Sequence, residues 1–167
     1  LVPTTGRFAY GIVLVIALLF ITFFTSLCRS LCHKLALDEF IVPVCLIFLS
    51  VCTVLFKQIL MLFSPILAFT LDFSLYLASL SSLILGFVFS DYSNGTLSFL
   101  GTNMKHAFLF SIFALFFYFF RDYFGYGTFT LPVREGIKAF LLPSFHFFEH
   151  SFFWSSIPFA LLFLSLL

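Results

Sequence analysis

Four cysteines are the side chains of this sequence best suited to hold a metal or a cluster, and all lie in its first third. Cys28 and Cys32 are four residues apart and Cys45 and Cys52 are seven apart, so each pair falls on one face of a helix. Thiolates so spaced could bind zinc or an iron–sulfur cluster. Cysteine also packs in helices as a small apolar residue, and no Cys-x-x-Cys occurs. We therefore expect structural cysteines.

A second pattern, His146-Phe-Phe-Glu149-His150, matches the H-x-x-E-H signature of inverted zinc peptidases. On a helix both histidines would share a face, with Glu149 as a base. A catalytic zinc site needs a third protein ligand. Since no residue after His150 can coordinate through a carboxylate, imidazole or thiol, we expect an interfacial polar cluster instead.

Gly125-Tyr126-Gly127 is similar to part of a potassium-channel filter. A filter follows a short pore helix, whereas these residues follow a predicted span and the charged pair Arg121 and Asp122. We therefore interpret them as a glycine-rich turn that allows close backbone approach.

Three serines, Ser79, Ser81 and Ser82, interrupt an apolar stretch shortly before Gly86. Small hydroxyl residues followed by glycine are typical of close helix packing, or of a broken half-helix that lines a site in a transporter. The residues themselves leave both interpretations open.

The composition places these residues in a lipid bilayer. Of the 167 residues, 62% are hydrophobic, 30 are phenylalanine and only 9% are charged, with a net charge of +1. A soluble domain has about 25% charged residues. The composition excludes a soluble enzyme, a basic nucleic-acid binder and an acidic disordered tail. We expect an all-α integral membrane protein whose immediate partner is lipid, and which binds no nucleic acid.

Five stretches are apolar enough to cross about 30 Å of hydrocarbon. The predicted spans, which form one transmembrane domain over 1–167, cover 8–28, 40–63, 73–89, 103–120 and 152–167. The connector 121–151 is rich in glycine and proline, and its apolar part 139–148 is expected to lie in the membrane interface or to re-enter.

Six short elements follow one another in a recognisable order. They are Pro3-Thr4-Thr5, a basic connector with Arg29, His33 and Lys34, the stretch Asp38-Glu39-Phe40-Ile41-Val42-Pro43, the stretch Ser81-Ser82-Leu83-Ile84-Leu85-Gly86, the block Arg121-Asp122-Tyr123-Phe124-Gly125-Tyr126-Gly127-Thr128, and Leu142-Pro143-Ser144-Phe145. In this order the chain resembles the small membrane subunits D and E of the sodium-pumping NADH:quinone reductase, and subunits A and E of the related Rnf complex. The block 121–128 is the specific part, and its Gly-x-Gly-Thr ending is closest to the D type.

The resemblance implies a fold and a function. The fold would be a six-helix inverted repeat lacking its first helix, so that either sequence before Leu1 is missing or the chain is a degenerate paralogue. The function would be that of a multi-pass subunit in the inner (plasma) membrane, within an ion-translocating NADH:quinone or ferredoxin:NAD oxidoreductase. The chain would support electron transfer coupled to sodium transport, beside a homologous sister subunit and the other subunits, and would perform no chemistry alone.

The resemblance also implies a [2Fe-2S] cluster shared with the sister subunit, with two cysteines from half-helices of each. Ser82 stands at the second of these cysteine positions, next to Ser81, and the first would precede Leu1. Because clusters are held by thiolates, this chain is expected to supply neither ligand, and the two serines would line a half-helix beside the electron path.

The block 121–128 is expected to have a structural role. Arg121 and Asp122 would pair at the end of a span and fix the turn that contains Gly125, Gly127 and Thr128. The alternative function is that of a non-redox small transporter or scaffold with the same fold, which the serine at position 82 favours.

Overall fold

Five helices and one β-hairpin make up the part of the chain that the computed structural model describes, residues 6–35, 38–88 and 96–141. The helices are α1 (Phe8–Lys34), α2 (Ile41–Phe63), α3 (Pro65–Thr70), α4 (Asp72–Val88) and α5 (Thr96–Tyr126), and the strands are β1 (Thr128–Val133) and β2 (Gly136–Leu141). A single 3-10 turn, Asp38–Phe40, leads into α2.

Two helices are longer than the spans predicted from charge. α1 continues past Arg29 to Lys34, and α5 includes both Lys105 and Arg121. A charged side chain limits how deeply a segment enters lipid, but it does not end a helix, because its long stem can carry the charge toward the interface. Charges were therefore poor markers of helix ends. The predicted span 152–167 lies outside the described residues.

The boundary between α2 and α3 is set by Pro65. Ser64, the residue before it, is extended, with φ −153° and ψ 104°, as expected where a following proline disfavours the helical region. Pro65 then occupies the first turn of α3, where its missing N–H is harmless. The chain turns through α3 and returns as α4. An ion pair between Lys57 Nζ and Asp72 Oδ1, 2.7 Å apart, joins α2 to the start of α4.

Helix α1 lies at the centre of the bundle. It packs against α2, α4, α5 and β1, and more than half of the residues in its most apolar stretch are buried. The largest core cluster includes Leu14 and Ala17 of α1, Leu67 of α3, Leu75 of α4 and Tyr118 of α5. A helix surrounded in this way needs apolar residues on most of its circumference, which α1 has.

The outer face of the bundle is strongly apolar. In α5 the buried side includes Ala107, Ser111 and Ala114, whereas Phe108 and Phe116 are 59% and 60% exposed. A water-soluble protein rarely exposes contiguous apolar surface of this kind, and small residues at helix contacts are typical of membrane bundles. Three helices, α1, α2 and α5, are long and apolar enough to cross a membrane, which indicates a membrane protein.

The fourth helix is not interrupted at its serines. α4 is continuous from Asp72 to Val88 and includes both Ser81 and Ser82. The hydroxyl of Ser81 donates to the carbonyl oxygen of Leu77 at 3.0 Å, so it is satisfied one turn back along its own helix and need not break it. The prediction of a broken half-helix at these serines is therefore wrong, because the backbone is helical throughout.

A β-hairpin follows α5, so the chain is mostly helical but not all-α. Gly127, with φ +61°, ends the helix in the left-handed region. β1 and β2 pair antiparallel from Thr128↔Leu141 to Val133↔Gly136, and Gly136 has φ +124°. This hairpin was not predicted, because its two turn residues, Arg134 and Glu135, are not among the usual hairpin residues.

Candidate functional site

The carboxylate of Asp122 lies where α1 begins, α5 ends and β1 starts. Its Oδ2 accepts hydrogen bonds from the backbone N–H of Phe8 at 3.1 Å, and from the N–H and hydroxyl of Thr130 at 2.9 and 2.6 Å. Its Oδ1 accepts from the hydroxyl of Thr128 at 3.1 Å. We name Asp122, Thr128, Thr130 and the first turn of α1 the Asp122 junction.

The junction supplies the N-terminal cap of α1. Arg7, which precedes the helix, makes no side-chain cap bond. Asp122 instead binds the N–H of Phe8, and Thr130 Oγ1 accepts the N–H of Ala9 at 3.0 Å. The first N–H groups of a helix have no partner within it and carry partial positive charge. A carboxylate from a distant helix therefore satisfies both requirements.

Three aromatic rings pack together beside the junction, whose carboxylate is itself buried. The ring of Phe8 lies 5.9 Å from that of Phe119 and 4.9 Å from that of Phe129, and the last two are 6.1 Å apart. Asp122 is only 1% exposed. Hydrogen bonds to a charged group in such surroundings are stronger than those in water, so the aromatic rings reinforce the cap.

Arg121 is buried beside the junction. Its exposed fraction is 2%, and its guanidinium carbon lies 5.7 Å from the ring centre of Phe117 and 6.0 Å from that of Tyr118. A Cβ at Gly6 would lie 3.1 Å from both Arg121 Cβ and Nε, so the segment before α1 passes directly over this side chain. On the same side, Arg7 lies 4.6 Å from the ring centre of Tyr126.

The structure brings most of the predicted motif together. Gly125 is buried in the last turn of α5, Gly127 makes the turn, and Thr128 is the first residue of β1 and binds Asp122. The expected pairing of Arg121 with Asp122 stays a prediction. Because both oxygens of Asp122 accept hydrogen bonds, the carboxylate is arranged to hold these elements together.

The two predicted serines lie elsewhere, on α4. Ser81 is half-buried and bonds to its own helix, and the side chain of Ser82 lies outside the described residues. Their expected place beside an electron path stays a prediction.

A second set of polar contacts runs along the interface between α1 and α5. Tyr118 lies against Gly11, where an added Cβ would meet the ring at 2.6 Å. Farther along, Asn103 Nδ2 donates to Ser26 Oγ at 3.2 Å, and Arg29 lies 5.0 Å from the ring centre of Phe99. These contacts define an antiparallel interface, which we name the α1–α5 seam.

The cysteines pack as apolar residues. All four are buried and form no disulfide, and Cys28, Cys32 and Cys45 form a cluster against Val44 and Phe48. In residues 6–35, 38–88 and 96–141, no group of three or more histidine, cysteine, aspartate or glutamate residues is arranged to hold a metal ion. The H-x-x-E-H pattern lies outside the described residues.

Several residues of these sites were missed by the sequence analysis. Gly11 matters through its contact with Tyr118, more than a hundred positions away. Thr130 matters through a bond to the equally distant Ala9, and through a bond to Asp122, eight positions before it. Asn103 had a detectable signal, because it belongs to a row of small or polar residues every three or four positions among the phenylalanines of α5, continued by Ala107, Ser111 and Ala114.

Comparison with known proteins gives no relative: no protein-family description, no curated protein and no solved structure matches this chain.

Proposed function

We propose that this chain is a multi-pass membrane subunit of an Nqr/Rnf-type ion-translocating oxidoreductase. In this role it supports electron transfer between other subunits, coupled to sodium transport, and it catalyses nothing alone. Its place would be the inner (plasma) membrane, beside a homologous sister subunit. The six-helix inverted repeat without its first helix is part of the same proposal.

The observation that supports the proposal most is the position of the block 121–128. This block carries the specific part of the family resemblance. In the structure, the same residues form the Asp122 junction and its turn, with Arg121 and Asp122 both buried. A motif that joins two helix ends and a hairpin has a physical reason to keep its residue types and spacing in a family of membrane subunits.

The proposed role is that of a scaffold and not of a cluster ligand. Position 82, where the family resemblance would put a cysteine, is a serine. The thiols that the structure brings together, Cys28, Cys32 and Cys45, belong to α1 and α2, not to α4. A [2Fe-2S] cluster next to this subunit would therefore need its thiolates from elsewhere.

The alternative is a non-redox transporter or scaffold that shares the fold. Continuity of α4 through Ser81 and Ser82 favours it, because an unbroken helix does not present a backbone turn at the bilayer centre. The two functions differ in their partners, since only the first requires a complex with flavin and iron.

Purification from the native membrane tests the proposal. The chain, tagged at one end and extracted in a mild detergent, is expected to co-purify with further membrane subunits, flavin and iron, and the reduced complex is expected to show a [2Fe-2S] signal in electron paramagnetic resonance. Membranes without the chain should lose sodium-dependent NADH:quinone or ferredoxin:NAD activity.

A pair of variants tests whether the Asp122 junction is needed for assembly with the other subunits. Asp122→Ala should reduce co-purification, whereas Lys138→Ala, an exposed change on the hairpin, should leave it unchanged. If the tagged chain purifies without flavin or iron, and membranes without it keep full activity, the proposal is wrong and the alternative is preferred.

A further inference from the structure

Three polar oxygens of the α1–α5 seam are buried without a hydrogen-bond partner in the described structure. They are Thr22 Oγ1, Thr25 Oγ1 and Asn103 Oδ1, and the exposed fractions of these residues are 1%, 5% and 3%. A buried hydroxyl or amide oxygen left unpaired destabilises a fold, so such groups nearly always have a partner.

Several other buried hydroxyls of the bundle are bonded within their own helix, whereas those of Thr22 and Thr25 are not. Ser26, Thr53 and Ser111 each donate to the carbonyl oxygen four residues back in their own helix, at 2.7 to 2.8 Å. This is the usual solution for a hydroxyl in an apolar helix. Thr22 and Thr25 have the same option and do not take it.

The polar residues in this part of α1 share one face. Thr22, Thr25, Ser26 and Arg29 follow the three- and four-residue spacing of a single helix face, and the bond from Asn103 to Ser26 shows that this face meets α5. The register of the seam, set by Asn103 against Ser26 and by Tyr118 against Gly11, places Thr22 level with Ala107, a small and fully buried residue.

We propose that Thr22, Thr25 and Asn103 bind water inside the bundle, near the middle of α1. The helix has 27 residues and is about 40 Å long, so Thr22 is about 20 Å from either end. Water suits this mixed set because it donates to the amide oxygen of Asn103 and both donates to and accepts from the hydroxyls. The proposal goes beyond the function above and does not depend on the redox complex.

The charge near these residues favours water over an alkali cation. Hydroxyl and amide oxygens can coordinate either. However, Arg29 lies on the same face of α1, one turn from Thr25 and Ser26, and it faces Phe99 across the seam. A fixed positive charge at this distance opposes a second cation in a medium of low dielectric.

Radiolytic labelling of the folded protein in detergent tests the proposal directly. Hydroxyl radicals formed from bound water oxidise the side chains next to that water. We expect labelling of Thr22 and Thr25 in the native protein and none of Leu14, Ala17 and Leu18, which are at most 1% exposed in the apolar part of the same helix. Labelling of neither set would overturn the proposal.

Isosteric substitutions give a second test through the sign of a stability change. If the threonines bind water, Thr22→Val and Thr25→Val lower the melting temperature by a few degrees and abolish the labelling. If the hydroxyls are dry and unpaired, the same changes raise the melting temperature, because an uncompensated polar group is removed. Thr53→Val is the control, since its hydroxyl is equally buried but bonded within its helix.

Salt dependence separates water from a cation. The melting temperature of the native protein should be the same in lithium, sodium and potassium chloride at equal ionic strength. A difference between these salts that Thr25→Val abolishes would assign the site to an alkali cation and overturn the proposal of water.

Discussion

The carboxylate of Asp122 accepts the backbone N–H of Phe8 at 3.1 Å, across 114 residues of sequence. The last turn of α5 therefore completes the first turn of α1, and the hairpin that follows supplies Thr128 and Thr130 to the same carboxylate. Three elements depend on one side chain, which makes the junction the most informative place to perturb this fold.

Asp122→Ala should destabilise the bundle by about 2–4 kcal/mol, because it removes the carboxylate and leaves the N–H groups of Phe8 and Thr130 without their acceptor. Thermal unfolding in detergent measures the change. Asp122→Asn, which keeps one carbonyl oxygen, should cost less. Equal melting temperatures for the alanine variant and the native protein would show that the cap contributes nothing.

Thr130→Val should be more harmful than Thr128→Val. Thr130 Oγ1 bonds to both Asp122 Oδ2 and the N–H of Ala9 and is fully buried, whereas Thr128 makes one longer bond at a half-buried position. We expect a loss of about 1–3 kcal/mol for Thr130→Val and less for Thr128→Val, by the same unfolding measurement. The reverse order would show that the bonds of Thr130 to Asp122 and Ala9 do not stabilise the junction.

Gly11→Ala should destabilise the protein by about 1–3 kcal/mol, because its Cβ would lie 2.6 to 2.8 Å from ring and Cβ atoms of Tyr118. Gly101→Ala is the matched control in α5, since a Cβ there meets nothing within 4 Å. It should be neutral or stabilising by about 0.5–1 kcal/mol, as glycine is a poor helix former. Similar effects of the two changes on thermal unfolding would exclude close packing at Gly11.

Reversing one charge of the Lys57–Asp72 pair should lower the melting temperature, and reversing both should restore it. Lys57→Asp or Asp72→Lys places like charges where the native groups are 2.7 Å apart, beside the apolar outer face. Glu135→Lys, in the exposed hairpin turn, is the control and should have little effect. A double variant no better than the worse single variant would rule out a direct interaction.

All four cysteines should resist a maleimide in the folded protein and react fully in sodium dodecyl sulfate, since each is buried. Mass spectrometry counts the labels. Lys138→Cys, on the exposed side of the hairpin, provides a site that should react at once. Rapid labelling of Cys45, which is 0% exposed, would contradict the packing of α1 on α2.

The helical bundle was predictable because apolar runs are local features. The helix expected over 40–63 is observed as Ile41–Phe63, where a proline follows closely. The ends predicted at 28 and 120 came too early, because Arg29 and Arg121 lie within helices. Charged residues indicate where a segment leaves the lipid, whereas capping residues and prolines indicate where a helix begins or ends.

The candidate site was predictable only as a list of residue types. The block 121–128 was identified from its resemblance, but nothing local indicated that Asp122 would cap α1. That bond depends on the antiparallel register of α1 and α5, which is set by contacts such as Gly11 against Tyr118. Thr130 was missed for the same reason, and also because strand β1 itself was not predicted.

The separation of Asp122 from Phe8 has a consequence for biosynthesis. Because a ribosome makes α1 well before residue 122, the helix must enter the membrane with its leading N–H groups bonded to water or to lipid headgroups. Those bonds are exchanged for the carboxylate only when α5 arrives. The start of α1, although synthesised well before α5, is thus among the last parts of the described structure to reach its final state, and ribosome-bound chains that stop before position 122 should keep it accessible to solvent.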